Sequence, residues 1–388
     1  MNRFTMAILF IILPSLACSA GPASVRTQIE FPVPPPASAG IVIGYFPSWN
    51  KANFDHTMIA YENLTHIDIA FAWPESEGNL IFPADFFYPE LNGEAHRNGV
   101  KVLMSLGGWG NCDGFAPMAA DPAKRAEFIR QTTEACRDHD FDGVDIDWEF
   151  VETPAEKENF TSLIGELSAA LRAMEPPRLL TMAAPADDYY GQWIDYEALH
   201  PCFDFIGFMT YDYHGDWSDH SGHNAPLYSC GDACGSMDET FRYALSRGIP
   251  SSKILLGIPF YGRSFDCAHL YEVFQNSDAY SYAEILDLRA DGWSYSWDAC
   301  AMVPLLTRPD SGAILSYDDG PSIRNKCRYI LNNKAAGVIV WEISEDRREG
   351  KSILLEIIGD MLLRTSGKFS FPFPRHGERA WIESGNSR

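Results

Sequence analysis

Four carboxylates fall within the segment Phe141–Glu149, which reads FDGVDIDWE: Asp142, Asp145, Asp147 and Glu149. Side chains alternate along a strand, so Asp145, Asp147 and Glu149 share one face, and Val144, Ile146 and Trp148 share the other. Alternate residues lie ~6.5–7 Å apart. At an effective dielectric of ~20, two charges ~7 Å apart repel by ~2.4 kcal/mol. Three such acids cannot all ionise cheaply near neutral pH. The expected outcome is a shared proton and a raised pKa at Glu149, which is then ready to donate. Glu149 ends the run, where a donor to a bound substrate belongs. A solvated acidic strand or a divalent-cation cradle are the rival readings. Hard cations favour loops and further ligands, so neither a metal nor a cofactor is expected.

Other clusters say less. His214, His220 and His223, with Asp216 and Asp219, have ligand-forming types, but they read as a solvated loop with one or two contacts to the groove. Gly107–Gly108 is too short for a phosphate loop, and no G-x-S-x-G nucleophile elbow occurs.

The acids need a scaffold to hold them. From residue 40 onward, eight apolar runs rich in Val, Ile and Phe read as strands: Ile41–Phe46, His66–Trp73, Lys101–Leu106, Gly143–Glu149, Leu179–Ala184, Phe203–Tyr211, Ile254–Phe260 and Gly337–Ile343. Between most of them lies a segment of helical period. Residues 122–138 place Ala126, Ile129, Thr133 and Cys136 on one face, and residues 155–174 place Phe160, Leu163, Leu167, Leu171 and Met174 on one face. Strand and helix alternating eight times predicts an α/β fold, a (β/α)8 TIM barrel, with a doubly wound open sheet as the alternative. The seventh interval is long, and 266–316 is expected to form a small α+β insertion on the strand-seven loop. Residues 351–363 form the last helix, and 363–388 a polar tail.

The chain has 388 residues, 46% of them hydrophobic, which is ample for a large core. Its 53 acidic against 30 basic residues give a net charge of −23, which argues against nucleic acid as a partner. Residues 1–20 read as a secretory signal: Arg3, an apolar run from Phe4 to Leu16, then small residues to Ala20. That run is too short for a membrane span. The protein is therefore expected to be secreted, with a periplasmic location or a lipid anchor at Cys18 as minority alternatives. Residues 21–39 are a Pro-rich linker. Of nine Cys, eight follow the signal, and an even number in an exported chain predicts disulfides. Cys230 and Cys234 are close enough to pair locally.

The acidic segment resembles the D-x-x-D-x-D-x-E signature of the family 18 glycoside hydrolases, the chitinases, with Asp142, Asp145, Asp147 and Glu149 all present. The resemblance covers roughly residues 40–362. GYFPSW (Gly44–Trp49), AFA (Ala70–Ala72), SLGGW (Ser105–Trp109), MTYDY (Met209–Tyr213), GIPFYGRSF (Gly257–Phe265) and GVIVWEISED (Gly337–Asp346) resemble other strands of that family.

What the resemblance implies is substrate-assisted hydrolysis, a mechanism that uses no carboxylate nucleophile. Glu149 would protonate the glycosidic oxygen. The sugar's 2-acetamido oxygen would attack its own anomeric carbon, giving an oxazolinium ion and net retention. Asp147 would hold the acetamido N–H and share a proton with Asp145, and Tyr211 would hold the acetamido oxygen. Trp341 would form the floor under the reacting sugar. Asp212, Tyr45, Phe71, Trp109 and Met209 would contribute to substrate binding, Met209 from beneath the site. Asp142 is a structural member of the motif. Asp212 follows Tyr211, so both reach the site only if the strand ends there. The implied activity is endo-hydrolysis of β-1,4-linked N-acetylglucosamine, in chitin or chitooligosaccharides, by a monomer. A non-catalytic chitin-binding lectin on the same fold, or an endo-β-N-acetylglucosaminidase acting on N-glycans or cell-wall glycan, are the alternatives. The short insertion implies a shallow groove, suited to soluble or short chains.

Overall fold

The computed structural model describes residues 40–230, 235–308, 310 and 312–364. The signal, the linker and residues 365–388 of the tail lie outside the described residues. Eight parallel strands form the centre: β1 Ile41–Pro47, β2 His66–Pro74, β3 Lys101–Gly107, β4 Gly143–Asp147, β5 Leu179–Ala184, β6 Phe205–Phe208, β7 Ile254–Pro259 and β8 Gly337–Trp341. Each pairs with the next, and β1 pairs with both β2 and β8, so the sheet closes into a (β/α)8 barrel. No helix among the described residues is long and apolar enough to cross a membrane.

Period-two alternation explains the two layers. Val42, Ile67, Ile69, Val102, Val144, Ile146, Val338 and Val340 face outward and join the large core under the helices. Ile43, Tyr45, Leu255 and Ile339 point inward and pack inside the barrel. The strand runs expected from the sequence match in place and differ at their ends. The sixth is the clearest case: its ladder stops at Phe208 rather than Tyr211. Thr210 turns its hydroxyl to the Gly257 carbonyl, 2.7 Å away. Asp212 then adopts a left-handed backbone with φ 58°, so the strand has ended before the two neighbours that need to reach the site.

The helix Pro154–Arg172 is capped by Thr153, whose side chain accepts the Glu156 N–H, and it buries Phe160, Leu163, Leu167 and Leu171. Met174 lies past its end. The helix Pro122–Asp138 is rotated from the expected face. It buries Arg125, Phe128, Thr132, Ala135 and Cys136, while Ala126 is exposed. That face carries the fully buried Phe128, and Arg125 lies on it with its apolar stem inward, donating to both carboxylate oxygens of Glu166 at 2.9 and 2.7 Å.

The insertion begins earlier than expected, at Tyr261. Strands Tyr261–Phe265, Ser277–Ser281, Ser294–Asp298, Val303–Arg308 and Ala313–Ser316 make one antiparallel sheet, with the helix Tyr282–Ala290 beside it. The histidine loop is fastened to this sheet: the His223 ring meets Ser316 Oγ at 3.0 Å and Asp298 Oδ2 at 3.1 Å. Cys230 does not pair locally. It bridges to Cys300, with Cα atoms 5.9 Å apart, and so ties this loop to the insertion; Cys234 lies outside the described residues. Among the described residues, Cys112, Cys136, Cys202, Cys267 and Cys327 carry free thiols, and all but Cys202 are buried.

Candidate active site

The row of acids follows β4 up the inside of the barrel. Asp145 is 1% exposed and is held by three hydroxyls. Tyr45 and Ser105 donate to its Oδ2, each at 2.9 Å, and Thr181 donates to Oδ1 at 2.7 Å. Three donors favour the charged form, against a burial that pushes the pKa up. Asp147 sits above it, buried, with no partner for Oδ1. Burial and then the charges of Glu149, Asp145 and Asp68 raise its pKa well above the usual carboxylate range.

Glu149 stands at the mouth, two residues past the end of β4. Its pKa is pushed up to about 7, first by burial and then by the charge of Asp212. The sequence reading attributes this rise to crowding along the row. In the structure it comes from desolvation and from an acid, Asp212, on the loop after β6, Glu149 itself lying past the end of the strand ladder. Trp148 turns the other way and stacks on Phe115, with centroids 5.0 Å apart at 12°. This anchors the strand end between the helices.

Gly107 explains how β3 comes this close. A Cβ there would lie 2.1 Å from the Asp147 carbonyl oxygen, and its φ is +121°. The free thiol of Cys112 bonds to the same strand end: its Sγ accepts the Glu149 N–H at 3.2 Å and lies 3.4 Å from the Asp147 carbonyl.

Tyr211 follows β6. Burial and the charges of Asp147 and Glu149 hold its phenol well above the ordinary pKa, so it remains a proton donor. Its ring meets Tyr261 edge-on at 6.2 Å. Asp212 accepts from Arg263 Nε at 2.6 Å, so the first strand of the insertion supplies a wall of this site.

Aromatic rings complete the other side. Trp341, at the end of β8, lies parallel to Phe71 with centroids 5.5 Å apart at 13°, and Tyr45 is 5.5 Å from Trp341. Met209 packs against this group from the barrel interior. Trp49 continues the strip by stacking on Phe71 at 6.0 Å, and is itself 61% exposed. A pocket of about 290 Å³ opens there, lined among others by Trp49, Phe71, Trp73, Asp85 and Asn111. Trp109 is 76% exposed, so it is not barrel packing. Sugar C–H faces pack well on such rings.

Glu149, Asp147, Asp145, Tyr211, Asp212, Tyr45, Phe71, Trp341 and Met209 thus come together at one end of the barrel. Asp142 does not join them. It lies at the opposite end, where its carboxylate accepts the Val102 N–H at 2.8 Å and meets His96 Nε2 at 2.8 Å. Sequence reasoning missed Asp68, Thr181, Trp73 and Cys112, and it quoted Arg263 within a motif without a role. It quoted Ser105 and Trp49 within motifs without giving them roles. The inward phase of Thr181 in the apolar run LLTMAA was an available signal; no local pattern marks the partner that Asp145 finds in it.

Comparison with known proteins agrees with this geometry. The sequence model described as "Glycosyl hydrolases family 18" matches residues 41–346. Chitinase A1 of Niallia circulans is 28% identical over 88% of this chain and 60% of its own length. A probable endochitinase of Caenorhabditis elegans is 30% identical over 78% of this chain and 55% of its own. The chain therefore spans somewhat over half the length of these curated relatives. Among solved structures, the Group IV chitinase of Ostrinia furnacalis in complex with allosamidin superimposes with a TM-score of 0.77 at 26% identity, covering 84% of this chain and 100% of that one. A family 18 N-acetylglucosaminidase from Paenibacillus barengoltzii gives a TM-score of 0.75 at 30% identity, covering 83% and 100%.

Proposed function

The chain belongs to the glycosyl hydrolases family 18, and from that premise we propose that it is a chitinase. It hydrolyses β-1,4-linked N-acetylglucosamine in chitin or chitooligosaccharides by endo-cleavage, with retention through an oxazolinium ion. The observation that carries this reading is the placement of Glu149. An acid with a pKa of about 7 stands at the barrel mouth, with the buried Asp147 behind it and the phenol of Tyr211 within the field of both.

A carboxyl that is still protonated near neutrality can donate to a leaving-group oxygen. A retaining enzyme with a protein nucleophile needs a second carboxylate ≈ 5–5.5 Å away across the scissile bond. The acids here follow one strand instead, and Asp212 is engaged by Arg263. That placement fits the substrate-assisted route of family 18, in which the nucleophile is the substrate's own acetamido oxygen. Asp147 takes the acetamido N–H, and Tyr211 donates to the acetamido oxygen. Asp145, gripped by three hydroxyls, is the partner with which Asp147 shares its proton. Trp341, with Tyr45 and Phe71 behind it, forms the floor for the reacting sugar, and Trp109 and Trp49 extend contact along the chain. Enzymes named for chitin, one with allosamidin bound, superimpose on this chain and support the substrate class.

The test is product analysis on chitooligosaccharides with wild type and Glu149→Gln. Wild type should release internal products as the β-anomer first, and the variant should bind while losing at least ~10²-fold in rate. Binding without any cleavage by wild type would establish a lectin. Cleavage of glycoproteins alone would establish an N-glycan enzyme. Release of single terminal sugars would favour an N-acetylglucosaminidase, the activity for which the Paenibacillus relative is named. Indifference to a thiazoline mimic of the oxazoline would argue against substrate assistance. The apolar N-terminus supports export, which N-terminal sequencing of the extracellular protein would check.

A further inference from the structure

A fourth carboxyl lies inside the barrel, and the mechanism above does not use it. Asp68 is on β2, in register with Tyr45 of β1 and Leu103 of β3. It is 1% exposed, and neither of its carboxyl oxygens has a hydrogen-bond partner. Its neighbours Ile67 and Ile69 face the outer core, so Asp68 faces inward, toward the foot of the acid row. We propose that Asp68 is a positioning residue of this site, which sets the charge state of the Asp145–Asp147 pair from beneath. This deepens the functional reading above and rests on it.

The groups that face Asp68 are few. Tyr45 comes from β1, and its hydroxyl is already given to Asp145. Asp145 and Asp147 come from β4, and the charge of Asp68 acts on Asp147. On β3 the neighbours are Leu103 and Ser105, neither charged, and Ser105 also donates to Asp145. On its own strand His66 lies one layer lower, and burial drives its pKa down to about 4, so it brings no cation. Nothing here neutralises an anion at residue 68. An ionised carboxylate without donors is among the costliest groups to bury.

The neighbouring acid differs in one respect: Asp145 has three hydroxyl donors and Asp68 has none. Where two buried acids share one proton, it rests on the one without donors. Asp68 therefore holds the inner proton, and Asp145 stays anionic under its three hydroxyls. That anion is what Asp147 meets from below while it serves the substrate from above. Deprotonating Asp68 would put a second negative charge beside Asp145. It would draw the shared proton down the row, away from Asp147.

The experiment compares wild type with Asp68→Asn and Asp68→Leu, each neutral and close in size, so that one misfolded variant does not end the test. Infrared difference spectra at pH 7 should show a protonated-carboxyl band in wild type that both variants lack. This readout needs no turnover, so it separates failure of this proposal from failure of the chitinase reading. In kinetics on chitooligosaccharides, each variant is read against its own kcat/KM at pH 6, so that the shape of the alkaline limb and not the rate carries the comparison. On the alkaline limb wild type should fall more steeply with pH than the variants, because Asp68 and Glu149 both ionise in wild type and only Glu149 does in the variants. Unchanged carboxyl bands, or superimposable alkaline limbs, would make Asp68 a packing residue and overturn the proposal.

Discussion

The ring of Tyr211 occupies the space that Gly257 leaves empty: a Cβ on residue 257 would lie 2.7 Å from Cε1 of Tyr211. The same Cβ would meet the Phe208 carbonyl and the Thr210 N–H at 2.8 Å. The phenol that faces Asp147 and Glu149 is thus placed by a missing side chain on the neighbouring strand.

Gly257→Ala should therefore act through Tyr211. We expect kcat to fall at least tenfold, with a stability loss of about 1–3 kcal/mol from overpacking. Tyr211→Phe keeps the ring and removes only the donor, so it should lower kcat by ~10²-fold with melting nearly unchanged. Steady-state kinetics beside thermal melts separate the two effects.

The alkaline limb of activity follows from Glu149. The donor must be protonated, and its pKa is about 7, so kcat/KM should fall through a midpoint near that pH. Asp212 is the charge that helps raise it. Asp212→Asn should move the midpoint down by roughly one pH unit. A pH–rate profile that stays in place would leave burial as the whole cause.

Trp341 is held parallel to Phe71 and beside Tyr45, a rigid surface for a sugar face. Trp341→Ala should raise KM for chitooligosaccharides by about tenfold, equivalent to ~1.4 kcal/mol of lost stacking and packing. Phe71→Ala should have a smaller effect in the same direction, since it supports Trp341 from behind. Titration calorimetry on a Glu149→Gln background reads the binding directly.

Stability should decline as pH rises. Glu345 is pushed up to about 9, and Glu342 and Asp346 to about 7, each first by burial. Between their ordinary values near 4–4.5 and these raised ones, the folded chain holds more protons than the unfolded chain. The stability these groups contribute is thus present at low pH and is lost through pH 7 to 9. Melting temperature should drop across pH 5 to 9, and Glu345→Gln should flatten the upper part of that drop.

Much of this was legible before any fold was drawn. Strand alternation is local, so Asp145, Asp147 and Glu149 could be placed on one face from nine residues of sequence. The eight strands were legible too, because each is an apolar run bounded by its own turn signals. The helix Pro122–Asp138 was misjudged by one residue, since the face read from its period did not include Arg125, whose partner Glu166 lies on another helix.

The environment of the acids is a different matter. Asp145 takes its three hydroxyls from positions 100, 40 and 36 residues away along the chain. Asp212 reaches Glu149 only because β6 stops at Phe208, and Arg263 reaches Asp212 only because the insertion folds over the barrel mouth. Residue types and their period along one strand say what a site is able to do. Desolvation and the nearest charge set the pKa, and both are decided by atoms that only closure of the barrel brings within a few ångströms.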